Sequence, residues 1–234
     1  MKLASIVPVN NMNRTFDGQY AMLLAHLADK YPKCNNKGCY KIMDNSLIEL
    51  GGAVTIKDVF DAGRKCKADE IILPDVFQDA YATLQSVKDS LGWLKDRNAN
   101  CWGMKYMAVC QGKTFSDFCR CFFELEKIPE IHCIGIPKVS STLAEERYKF
   151  EFLWQGTPKA IHLLGVWNSL DELRHYVYPS RIRSVDTCLP ALLSQNGCDP
   201  WIQRPEKTID LLNDRIDTYH YEDILEELRK ESLL

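Results

Sequence analysis

At 234 residues the chain is long enough to bury one large core, and it falls in the size range where (β/α) barrels run as a single unit. Hydrophobic residues make up 46% and charged residues 26%, a balance that excludes a disordered or fibrous chain. The formal net charge of −3 excludes a globally basic nucleic-acid binder, though not a local basic groove.

Seven short, apolar, β-rich runs follow one another along the chain, at residues 3–9, 40–44, 70–74, 106–111, 132–136, 160–165 and 184–189. Pro8 and Asn10 interrupt the first before a secretory h-region could form. Between the runs lie amphipathic segments. Leu84, Val87, Leu91 and Leu94 share one helical face, as do Phe118, Phe122, Leu125 and Ile128. Ser169 and Glu172 have capping-box spacing and open a segment carrying Leu170, Leu173 and Val177. An eighth strand is expected in 209–212 or 216–219, and 221–230 reads as a terminal helix. Near-continuous apolar strands alternating with helices predict a parallel sheet covered on both faces. The first strand lacks the Gly-rich turn of a dinucleotide fold, which favours a compact TIM-type (β/α)8 barrel over a doubly wound sheet. No linker or repeat divides the chain, so residues 1–234 read as one domain.

The ten cysteines include no C-x-x-C pair and no histidine at ligand spacing, which predicts free thiols in a reducing compartment, no metal site and no cofactor. No apolar stretch reaches membrane-spanning length, so the expectation is a soluble cytoplasmic protein, in the host cytoplasm if viral.

In a barrel the C-terminal strand ends share one mouth, where chemistry is built. Here the second run ends at Asp44, the third is followed by Asp75, the fourth ends at Gln111, and the seventh carries Asp186. Singly, Asp44 reads as a turn former before Gly51 and Gly52, and Asp75 as the start of a helix. Asp186 lies inside an apolar run, where a carboxylate must be paired, hydrogen-bonded or functional. Carboxylates without metal-binding histidines suit glycosidic chemistry, one attacking the anomeric carbon and another moving a proton. Magnesium held by Asp44, Asp75 and Asp186 is the alternative that spacing leaves open.

The motifs resemble those of the tRNA-guanine transglycosylase family, in order, over residues 40 to 197. Val-Asp-Thr-Cys-Leu-Pro at 185–190 is similar to the family's nucleophile motif, Phe-Asp-Cys-Val-Leu-Pro, and Ile-Met-Asp-Asn-Ser at 42–46 to its acid/base segment. Glu-Ile-Ile-Leu-Pro-Asp at 70–75 resembles the guanine-reading segment. Val-Cys-Gln-Gly at 109–112 resembles the Val-Gln-Gly turn. Cys-Ile-Gly-Ile at 133–136 stands where the family has a Gly-Gly turn, and His-Leu-Leu-Gly-Val at 162–166 resembles its His-Tyr-Leu-Met-Gly-Val. The family's zinc subdomain is missing, with only Cys198 and His220 beyond the nucleophile motif at 185–190, and its Thr-Arg after Leu-Pro is Ala191-Leu192. These losses fall on parts that hold tRNA, which is the pattern of the DpdA-type branch, often phage-encoded, that installs 7-deazaguanine derivatives in DNA.

The resemblance implies catalysis by Asp186 as nucleophile and Asp44 as acid/base, with Asp75, Gln111, Gly112 and Gly135 at the base. Tyr106 or Met107 would either stack on the purine or serve as an ordinary core aromatic and thioether. Lys113, Lys138, Arg181, Arg183 and Arg204 would contact the nucleic acid. The expected substrates are DNA and a free 7-deazaguanine, and a homo-oligomer or partner proteins are compatible with this. The rivals are a tRNA or other RNA transglycosylase, a metal-dependent barrel lyase or hydrolase, and a catalytically silent binding subunit.

Overall fold

Eight strands, all parallel, close into a barrel in simple chain order in the computed structural model, so the (β/α)8 expectation is met. The structure describes residues 1–32, 38–138, 147–166, 170–176, 181–197, 199, 201, 209–231 and 233. The strands are β1 (Lys2–Ser5), β2 (Tyr20–Leu24), β3 (Tyr40–Asp44), β4 (Glu70–Ile72), β5 (Lys105–Val109), β6 (Ile131–Pro137), β7 (Ala160–Leu164) and β8 (Ile182–Thr187). β8 closes on β1 through the register Lys2 with Ser184 to Ser5 with Thr187.

The helices are α1 (Leu47–Leu50), α2 (Ile56–Cys66), α3 (Ala80–Asp96), α4 (Phe115–Glu126), α5 (Glu151–Trp154), α6 (Leu189–Asn196) and α7 (Thr218–Lys230). Side-chain oxygens of Thr55, Asp79, Thr114 and Asp217 accept the free N–H groups at the starts of α2, α3, α4 and α7. Val87, Leu94, Phe118, Phe122 and Leu125 bury the predicted apolar faces against the outside of the barrel. Inside it, Ala4, Met22, Ile42, Ile72, Met107, Val109 and Cys133 form a second apolar cluster. Among the described residues no helix is long and apolar enough to cross a membrane.

Three expectations are corrected. The eighth strand is β2, at residues 20–24, and neither 209–212 nor 216–219 pairs with the sheet. Its sequence, Tyr-Ala-Met-Leu-Leu, consists mostly of good helix formers, and pairing with β1 and β3 overrides that preference. The first strand ends at Ser5 rather than residue 9, because Val9–Arg14 turns into a 3₁₀ helix after Pro8. The capping box at 169–172 does not start an α-helix: Leu170–His175 is 3₁₀, and Ser169 and Val177 lie outside the described residues.

Candidate active site

A pocket of about 210 Å³ opens at the C-terminal ends of the strands, smaller than the roughly 300–1,000 Å³ usual for drug-sized ligands. Asp44, Asp75, Gln111 and Asp186, from four different strands or strand ends, all line it. Its walls are apolar, with Met22, Val109 and Leu164 from the strands, and Ile48 and Phe77, 64% and 47% exposed, at the rim.

Asp186 is 6% exposed and its Oδ1 takes two bonds. His162 Nε2 lies 2.9 Å away, and the Gly165 N–H donates at 3.2 Å. Nδ1 of the same ring lies 2.8 Å from the Ser184 hydroxyl oxygen, so the imidazole bridges β7 and β8. These donors fix the carboxylate's plane and leave Oδ2 without a protein donor among the described residues.

Asp44 is half-buried, and its Oδ2 accepts the Ser46 N–H at 2.7 Å. This is the turn-forming role expected of it, and Ser46 takes the left-handed conformation (φ 61°) to make the turn. Burial, then Glu49, hold the Asp44 carboxyl well above the usual carboxylate range, with Asp186 and Asp75 pushing the same way against the Ser46 N–H. The result is a carboxyl shifted toward its neutral form in the same pocket as one held by donors, an arrangement that acid/base and nucleophilic roles could use. A carboxyl raised in the fold contributes stability below the ordinary range, and that contribution is lost as pH rises through the raised value. Asp44→Asn is therefore expected to raise Tm at neutral pH, by about 2–4 °C for each kcal/mol relieved, with the gain vanishing near pH 4. Melting curves across that range check this, and a pH-independent difference contradicts it.

Asp75, 4% exposed, is not a helix cap: α3 is capped by Asp79. Its Oδ1 accepts Asn45 Nδ2 and its Oδ2 accepts Gln111 Nε2, both at 2.7 Å. Gln111 Oε1 in turn accepts the Gln78 N–H at 3.0 Å. Burial nevertheless pushes the Asp75 carboxyl up, against both amides. Among the described residues no three His, Cys, Asp or Glu side chains gather into a group that could hold a metal ion.

Other expected residues lie elsewhere. Gly112 packs on α4, where a Cβ would sit 2.4 Å from the Phe118 nitrogen, so its role is close packing. Gly135 is inside the barrel under Leu164, and its carbonyl is taken by the Cys110 N–H, so it offers the pocket no backbone contact. Tyr106 faces the helices and Met107 the barrel interior, and neither lines the pocket.

Among the described residues the basic patch does not assemble. Lys113 is exposed in the turn after β5, on the mouth side, as expected. Lys138 lines the pocket but pairs with Glu172 at 2.5 Å. Arg181 and Arg183 stand at the start of β8, the end of the barrel opposite the pocket. The register between β7 and β8 skips from Ile182 to Ser184, and the unpaired Arg183 turns inward to lie 2.7 Å from Glu70, over Tyr20 and Tyr40. Arg204 lies outside the described residues.

The sequence alone assigns no role to Asn45, Glu49, His162 or Gly165. A polar His162 in an apolar strand, three residues before a glycine, is the available signal. Compared with protein-family models and with curated proteins, the sequence matches none.

Proposed function

We propose that the chain is a guanine transglycosylase acting on DNA, exchanging guanine for a 7-deazaguanine derivative through a covalent Asp186–sugar ester. The arrangement that carries this reading is Asp186, held by His162 and Gly165, lining one pocket with Asp44, whose carboxyl is pushed toward its neutral form. In the first displacement Asp186 Oδ2 bonds to the anomeric carbon, and guanine leaves with the bonding electrons and a proton from Asp44. In the second, the 7-deazaguanine nitrogen bonds to the same carbon, its proton passes to Asp44, and the ester's electrons return to Asp186. Asp75, Asn45 and Gln111 face the purine edge, and the base reaches them by leaving the stack.

DNA is preferred to RNA because the Thr-Arg that follows Leu-Pro in the tRNA enzymes is Ala191-Leu192 here. The test supplies guanine-containing DNA, matched RNA and tRNA together with labelled 7-deazaguanines, and follows the label by nucleoside mass spectrometry. Label is expected in DNA at least about tenfold above either RNA. Preferential labelling of tRNA overturns the polymer and keeps the aspartate chemistry, and no label in any polymer overturns both.

A further inference from the structure

Asp186 receives one of its two hydrogen bonds from the peptide that joins Leu164 to Gly165. The carbonyl of that same peptide is bound from the other side. Leu164 O accepts Arg147 Nη1 at 2.8 Å, so guanidinium, peptide and carboxylate form one continuous chain. We propose that Arg147 is a positioning residue for Asp186 that acts through the Leu164–Gly165 peptide, a role whose functional half rests on the glycosyl-transfer reading above.

Arg147 is fully buried, and each donor nitrogen has work in the same place. Nη1 also reaches Ile136 O at 3.0 Å, Nη2 donates to Gly165 O at 2.6 Å, and Nε to Glu172 Oε1 at 2.5 Å. The ends of β6 and β7 are thus tied to one rigid fork, which an ammonium on a flexible stem could not reproduce. Gly165 takes φ 69°, open to glycine, and the turn it makes aims its N–H back at β8. Glu172 is held below its usual range because Arg147 and Lys138 together outweigh its burial, so the cluster keeps its charges.

A positive charge on the carbonyl end of a peptide strengthens the donor at its N–H end, more so in a low-dielectric interior. In the two displacements Asp186 gives up its negative charge on forming the ester and regains it when the ester C–O bond breaks. A strengthened Gly165 N–H favours the second event, because it stabilises the returning carboxylate. Loss of Arg147 therefore slows release of the adduct more than its formation. A merely structural role would lower the amount of active protein and leave the adduct's lifetime alone.

Leu-Gly pairs occur at 50–51, 91–92 and 164–165, so carbonyl-¹³C leucine with ¹⁵N glycine gives three cross-peaks, which Asp186→Asn assigns by displacing one. In the unaltered protein the Gly165 amide proton is expected downfield of those of Gly51 and Gly92, and a position upfield of both overturns the relay without any variant. In Arg147→Gln, or Arg147→Lys if that variant does not fold, the Gly165 peak is expected to move upfield while the other two stay. A folded variant with an unmoved Gly165 peak overturns the proposal. With guanine-containing DNA as probe, the adduct of the variant is expected to decay at least about tenfold more slowly when free purine is added. An unchanged lifetime overturns the functional half. If the unaltered protein forms no adduct, the transglycosylase reading fails with that half, while the Gly165 shift still decides the relay.

Discussion

Replacing Asp186 by Asn is expected to abolish covalent capture of nucleic acid and to lower base exchange by about 10,000-fold or more, with the barrel intact. The amide keeps an oxygen where His162 and Gly165 donate, so the buried N–H groups stay satisfied and Tm should change little. What it loses is the electron pair that forms the ester. Denaturing electrophoresis for the adduct and nucleoside mass spectrometry for exchange read the result. Near-normal turnover, with deamidation excluded by mass, would remove Asp186 from the reaction.

Arg183→Met is expected to act on stability and not on nucleic-acid binding. Glu70 is fully buried at the barrel's N-terminal end, with Arg183 as its cationic partner and the Tyr40 hydroxyl at 3.3 Å. Removing one partner of a buried pair costs roughly 3–5 kcal/mol, and at about 2–4 °C per kcal/mol the melting temperature falls by roughly 6–20 °C. Adding Glu70→Met should restore much of the loss, because no uncompensated charge then remains. Binding should keep its salt dependence in Arg183→Met, whereas Lys113→Ala, at the mouth, should flatten the slope by about 0.7 for a single strand. A stable Arg183→Met protein with a flattened slope would return Arg183 to the nucleic-acid surface.

Chain order and strand period made the barrel legible, because apolar runs such as Ile42–Met43 and Ile71–Ile72 are buried on both faces. They also placed Asp44, Asp75, Gln111 and Asp186 at one mouth, since parallel strands bring all their C-terminal ends together. β2 was illegible because its residues favour a helix in isolation and only its neighbours make it a strand. Arg183 was misplaced for a different reason. A one-residue slip between β7 and β8 decides where it points, and no residue pattern announces the slip. Asn45 and Arg147 become visible only as partners, through bonds spanning 30 and 17 positions, whereas His162, 24 positions from Asp186, stands out in the sequence as a polar residue in an apolar strand.

The clamp on Asp75 bears on how the pocket would sort its ligands. Each oxygen of that carboxylate already bonds one amide, and Gln111 is itself held by the Gln78 N–H, so three side chains are fixed before any ligand arrives. A carboxylate accepts about four bonds, which leaves lone pairs for a ligand's donors in directions set in advance. Immobilising a flexible side chain on binding typically costs about 0.5–1.5 kcal/mol, and here that cost falls on folding. The pocket is accordingly a template: a ligand whose donors match its directions binds without rearranging it. One displaced by a single ring atom would have to break the hydrogen bonds that Asn45 and Gln111 donate to Asp75.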